Sequence, residues 1–97
     1  MTEKELTKEM KKYWKNNGWL AIRNQQNIGS HKGIADFIVI KDGITVFVEL
    51  KGAKGKQTQD QKKFCEDVVN HGGYYLCIKS VEEFDNFVIM IWGDEYE

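Results

Sequence analysis

Asp36, Glu49 and Lys51 are the residues of this chain whose types and spacing suit them to chemistry, and all three fall in one stretch, GIADFIVIKDGITVFVELK, from Gly33 to Lys51. Within it, Asp42-Gly43 separates two apolar, β-branched runs, Ile34 to Ile40 and Ile44 to Leu50. That dipeptide favours a two-residue type I′ turn, because both of its positions need positive φ. Counting outward from the turn sets Lys41 opposite Ile44, Val39 opposite Val46 and Asp36 opposite Glu49. Two acids facing each other on neighbouring strands, with Cβ atoms about 5 Å apart, repel unless water or a cation relieves them. Strand alternation puts Glu49 and Lys51 on the same face as Asp36 and turns Leu50 the other way. Two carboxylates and an ammonium therefore converge at one end of an apolar hairpin. Hard oxygen ligands at that density suit Mg²⁺ or Mn²⁺, which keep several waters and accept phosphate oxygens, so phosphoryl chemistry is the expectation.

The elements that must position these residues follow from the flanking sequence. Thr2 and Glu5 have capping-box spacing ahead of Leu6, Met10, Tyr13 and Trp14, which recur at helical period through Lys15; Asn16-Asn17-Gly18 ends that helix. Trp19 to Arg23 reads as a first strand. The connection that follows, RNQQNIGSHKG, is long and polar, and Arg23, Asn24, Gln25, His31 and Lys32 can donate to phosphates or base edges, although any one of them also suits a solvated turn. His31 is not assigned as a general base, since lone loop histidines are common and a metal activates water by itself. After Lys51, the GAKGK segment is basic and its glycines let a backbone approach a phosphate. It lacks the Walker A spacing, so no nucleotide cofactor is expected. Thr58 and Gln61 repeat the capping-box spacing ahead of Phe64, Cys65, Val68 and Val69, which gives Gln61 a complete structural explanation. Asn70-His71-Gly72-Gly73 stops that helix and Tyr74 to Lys79 reads as a fourth strand. Ser80 and Glu83 open a last helix with the stripe Phe84, Phe87, Val88 and Ile91. Ile89, Met90 and Trp92 fall off the stripe. Whether as this helix or as an alternative fifth strand from Phe87 to Trp92, the excess apolar surface asks for a second subunit as cover.

Composition bounds the rest. With 97 residues, 41% hydrophobic and 30% charged, the sequence reads as one domain over residues 1–97, near the small end of what buries an adequate core. A net charge of −1 gives no global attraction to nucleic acid, so binding must come from a local patch. Residues 51 to 63 hold Lys51, Lys54, Lys56, Lys62 and Lys63 against Asp60 alone, whereas residues 82 to 97 hold Glu82, Glu83, Asp85, Asp94, Glu95 and Glu97 without a base. Cys65 and Cys77 form no zinc pattern and read as packing residues in a reducing compartment. The N-terminal MTEKELTKEM is too charged for a signal peptide and no apolar run has membrane-spanning length, so a cytoplasmic location is expected.

An acid in the first helix, G-x-x-D on one strand, E-x-K on the next, a Gly/Lys-rich loop and a Gln opening a helix, in that order, resemble the PD-(D/E)XK nuclease superfamily. Within it, the chain is most similar to the small, standalone, phage-type VRR-NUC branch. The matching residues are Glu3, Gly33, Asp36, Glu49, Lys51 and Gln61, and the likeness covers nearly the whole chain. Ala35 stands where the family has Pro before the Asp, and the chain has no proline. The resemblance implies an α/β, restriction-endonuclease-like core of order α-β-β-β-α-β-α, its mixed β-sheet flanked by helices, and a metal-dependent endonuclease hydrolysing phosphodiester bonds in DNA. Asp36 and Glu49 would hold Mg²⁺, with Mn²⁺ able to substitute, joined by the backbone carbonyl of Leu50 between the two motif residues. Glu3, with Glu5 as the alternative, would serve a second ion or its water; Lys51 would hold the attacking water; Gln61 would lie beside the lysine or the substrate. Arg23, Asn24, Lys32, Lys54, Lys56 and Lys62 would contact the nucleic acid. A homodimer cutting four-way (Holliday) junctions in a bacterial or phage-infected cytoplasm is the first expectation, and flap or nonspecific duplex nicking the second. A non-catalytic nucleic-acid-binding module on the same fold is the competing class.

Overall fold

In the computed structural model, which describes residues 1–25 and 31–93, the elements run α1 (Glu3–Asn16), β1 (Leu20–Arg23), β2 (Phe37–Lys41), β3 (Ile44–Leu50), α2 (Gln59–Asn70), β4 (Tyr74–Ile78) and α3 (Val81–Trp92). All three helices open on a closed capping box: Thr2 with Glu5, Thr58 with Gln61, and Ser80 with Glu83. Each such N-cap contributes about 1 kcal/mol by satisfying backbone N–H groups that the helix cannot pair. Two segments of interest reach beyond the described residues: 26–30 of the polar connection, and Asp94, Glu95 and Glu97 of the acidic tail.

The Asp42-Gly43 turn has positive φ at both positions, 49° and 83°, as a type I′ turn demands. The register is the one counted from it, with Lys41 paired to Ile44, Val39 to Val46 and Phe37 to Val48. The strand order is β1-β2-β3-β4; the first two pairings are antiparallel and β3–β4 is parallel, with α2 as the crossover. One sheet face carries Phe37, Val39, Val46, Val48, Leu50 and Ile78 into the core, beneath Leu6, Met10 and Trp14 of α1 and Phe84, Phe87 and Val88 of α3. Aromatic contacts lock these layers, with Trp14 centred 5.0 Å from Phe37 and 5.7 Å from Phe84. On the other face, Phe47 and Tyr75 pack around Phe64 of α2 at 5.4 and 6.1 Å. That helix covers only the β3–β4 side. At the open edge, Leu20 and Ile22 of β1 pair with Ile40 and Ile38 and remain 59% and 45% exposed.

Three local departures from the sequence reading have physical causes. The expected strand from Ile34 begins its ladder only at Phe37, because a side chain intercepts the pairing: the Leu50 N–H goes to Asp36 Oδ2 at 3.0 Å. Trp19 stays outside β1, since its N–H closes the end of α1 on the Trp14 carbonyl at 2.9 Å. Phe87 to Trp92 is helix rather than a fifth strand, and most of its surplus apolar surface is covered within the chain. Trp92 lies 5.7 Å from Trp19 and Ile91 packs on the core, while Met90 is 73% exposed. Among the described residues, no helix is long and apolar enough to cross a membrane.

Candidate active site

Gly33 begins the site. Its φ is +73°, and a Cβ there would lie 2.1 Å from the Asp60 carbonyl oxygen, so only glycine lets the chain pass against the first turn of α2 on its way into β2. Three residues later Asp36 is held from two sides, its carbonyl accepting the Asn24 N–H at 2.8 Å and its Oδ2 accepting that of Leu50. The carboxylate is thereby fixed over the end of β3. Glu49, one residue before Leu50, is 2% exposed. Its Oε2 accepts the Gln61 amide at 3.0 Å and lies 3.5 Å from Lys51 Nζ, whereas its Oε1 is buried without a hydrogen-bond partner. Burial first, then the charge of Asp36 beside it, push the Glu49 carboxyl up to about 8, against the opposing pull of Lys51.

Gln61 does two things at once. Its Oε1 accepts the Thr58 N–H at 2.9 Å to complete the capping box, while its amide nitrogen donates to Glu49 Oε2. The cap fixes the side chain, and the side chain leaves one oxygen of Glu49 free of hydrogen bonds. An unsatisfied buried acceptor costs about 1–3 kcal/mol, and two neighbouring carboxyls add repulsion. A divalent cation held by Asp36 and Glu49 would remove both penalties, so these residues fit one. Among the described residues no group of three or more His, Cys, Asp or Glu could hold a metal ion. Two carboxylates would leave most of a bound ion's shell to water.

The other sequence-derived residues fall into place around this pair or away from it. Glu3 stands in the first turn of α1, whose main chain abuts Gly52: a Cβ on that glycine would lie 3.1 Å from the Glu3 nitrogen. Its side chain lines a surface cleft with Lys4, Thr7, Lys8, Lys11 and Arg23 and does not complete a carboxylate triad. Glu5 is engaged elsewhere, accepting the Thr2 N–H at 2.9 Å, which lowers its pKa. The Arg23 guanidinium lies 5.5 Å from the Phe37 ring centre, and Lys32, Lys54, Lys56 and Lys62 are exposed. His31 is built into the loop, its Nδ1 at 2.8 Å from the Lys32 carbonyl and its ring edge-on to Phe64.

Several participants leave no local trace in the sequence. Lys79 donates to the Ala53 carbonyl at 3.0 Å, Gln57 donates to the Tyr75 hydroxyl at 3.2 Å, and the Ala53 N–H bonds the Met1 carbonyl at 3.1 Å. Together they tether the basic loop after Lys51. Burial pushes the Tyr75 hydroxyl up, the Gln57 hydrogen bond opposing it. Cys77 is not the packing residue read from the sequence: it is exposed and pairs in register with Glu49.

The mixed four-stranded sheet, with its crossover helix and an acid pair at the strand ends, defines a restriction-endonuclease-like α/β fold. Among solved structures, a VRR_NUC domain matches it with a TM-score of 0.75 and 23% sequence identity, over 91% of this chain and 96% of that one. No family model matches the chain, and no curated protein does. The chain thus has the fold of that VRR_NUC domain.

Proposed function

We propose that the chain is a metal-dependent endonuclease that hydrolyses phosphodiester bonds in DNA. Glu49 carries the reading: a buried carboxylate beside Asp36, 3.5 Å from an ammonium, with one oxygen left without a partner. Asp36 and Glu49 would hold Mg²⁺, or Mn²⁺ in its place, with the Leu50 carbonyl and waters completing the shell. When bound, the ion would acidify a water and neutralise charge on the scissile phosphate. Gln61 keeps Glu49 Oε2 occupied, which would leave Oε1 for an ion. Lys51 sets a positive charge where the phosphate gains negative charge and orients the attacking water. Glu3, outside the carboxylate pair, would act through solvent. Lys32, Lys54, Lys56 and Lys62, with Arg23 and Asn24 on the far side of the Asp36 strand, would engage the flanking backbone.

The finer reading is a homodimer acting on branched DNA, with four-way junctions ahead of flaps or plain duplex. What supports the assembly is the exposed Leu20 and Ile22 on an open edge strand. A two-fold pair would present two symmetric sites, the arrangement that paired nicks require. The test is cleavage of labelled junction, flap and duplex DNA with Mg²⁺, Mn²⁺ or EDTA, comparing the native chain with Lys51→Ala. Paired junction nicks abolished by EDTA and reduced at least about a hundredfold in Lys51→Ala are expected. Flap or duplex cutting with the same dependence changes the substrate; binding with no metal-dependent cutting leaves only a binding module.

A further inference from the structure

Helix α1 sorts its charges. At 100° per residue, Lys4, Lys8, Lys11 and Lys15 fall within an arc of about 60°, next to the buried stripe of Leu6, Met10 and Trp14, while Glu5 and Glu9 lie on the opposite flank. Among the described residues, none of the four lysine side chains takes part in an ion pair or a hydrogen bond. The surface they form is concave. A cleft of about 360 Å³ is lined by Glu3, Lys4, Thr7, Lys8, Lys11 and Arg23. A second, of about 380 Å³, shares Lys11 and Arg23 and continues to Lys15 and Trp19. Five cations thus edge one trough, with Glu3 as its acid.

Both walls of the trough end at the candidate active site. The start of α1 rests on Gly52, one residue past Lys51. The end of β1 runs into Asn24, whose N–H is bonded to the Asp36 carbonyl. From Lys4 to Lys15 the helix rises about 16 Å, while successive phosphates of a duplex strand are about 3.4 Å apart along the axis. We infer that this trough is a track for the phosphate backbone of one DNA arm, carrying it away from the scissile position. The inference rests on the nuclease reading for the direction in which the arm runs, and adds a second basic surface to the loop after Lys51. Charge complementarity selects a polyanion as occupant. A lipid surface is disfavoured because the apolar side of α1 is buried in the core, leaving nothing to insert.

The test is binding of a fluorescent duplex in EDTA, titrated across NaCl concentrations, by the native chain, Lys8→Gln/Lys11→Gln and, as an equal charge change off the track, Lys12→Gln/Lys41→Gln. Lys8, Lys11 and Lys12 are exposed, whereas Lys41 is half-buried and donates to the Asn17 carbonyl at 2.6 Å, so circular dichroism checks that each variant folds. The track pair should weaken binding about tenfold or more and lower the slope of log K against log salt by about 2, since each phosphate contact contributes about 0.9. The off-track pair should leave the slope unchanged. Equal losses in both pairs, or none in the track pair, overturn the track. Binding of phosphatidylserine vesicles but not DNA, with the same lysine dependence, overturns it in favour of a membrane surface. Mg²⁺-dependent cleavage by the native chain is scored separately. Cutting without a slope change removes the track and keeps the nuclease; a slope change without cutting does the reverse.

Discussion

Glu49 is the residue on which pH acts. Its folded-state value of about 8 lies above the ordinary carboxylate range, so the folded chain binds this proton more tightly than the unfolded chain does. By linkage, its favourable contribution is fully present below the unfolded value near 4.5 and is lost as pH rises toward 8. In EDTA the melting temperature should therefore carry a component that falls from pH 5 to pH 8. Glu49→Gln should remove that component, since an amide cannot ionise yet can still accept from Gln61; a slope unchanged in Glu49→Gln would refute the assignment. Mg²⁺ should raise the melting temperature of the native chain at pH 8 and not that of the variant. The opposition of Asp36 and Glu49 was legible in the sequence because a two-residue turn sets register by local chemistry. The proton affinity was not, since it depends on burial beneath α2. Nor were the Gln57–Tyr75 and Lys79–Ala53 contacts, which join residues 18 and 26 positions apart through the crossover and leave no periodic pattern.

At the level of elements, the site depends on how closely the lead into β2 approaches α2. Gly33→Ala adds a Cβ where the backbone is left-handed and the Asp60 carbonyl already occupies the space. The expected cost is about 3 kcal/mol or more, read as a lowered urea midpoint, because the strand lead and the helix start must part. Activity should fall further than stability does, since Asp36 is three residues along the displaced segment. A variant with an unchanged midpoint would show that the approach is not required. The helix starts were readable because each capping box is a four-residue pattern. The start of β2 was not, because Asp36 captures the Leu50 N–H in place of main chain. The fate of α3 was ambiguous for a different reason: Trp19, which covers Trp92, comes from the opposite end of the sequence.

For the whole molecule, the surplus apolar surface is better placed on β1 than on α3, where the sequence put it. The native chain is expected at twice its 11.3 kDa mass by light scattering, and Leu20→Lys/Ile22→Lys is expected at the single-chain mass. A native monomer would remove the dimer, and with it the simplest route to paired nicks. The net charge of −1 concealed two separate basic surfaces, the loop after Lys51 and the lysine edge of α1. The second was present in the sequence as the spacing 4, 8, 11 and 15, but its meaning depends on a β1 wall that only the fold supplies.

The sheet topology leads us to expect an order of assembly. The β1-β2-β3 meander closes through nearby residues, whereas the parallel β3–β4 pairing must wait for the α2 crossover, and contacts distant in sequence form slowly. On that order the repelling acids would be brought together on the early-forming part, before Gln61 arrives to hold Glu49. Their repulsion would then act as a kinetic barrier on the way in. Stopped-flow refolding at pH 8 without metal should accelerate in Glu49→Gln with little change in the unfolding rate, the partition expected of a nucleus residue. The opposite partition would mean that the crossover docks first and the hairpin closes onto it.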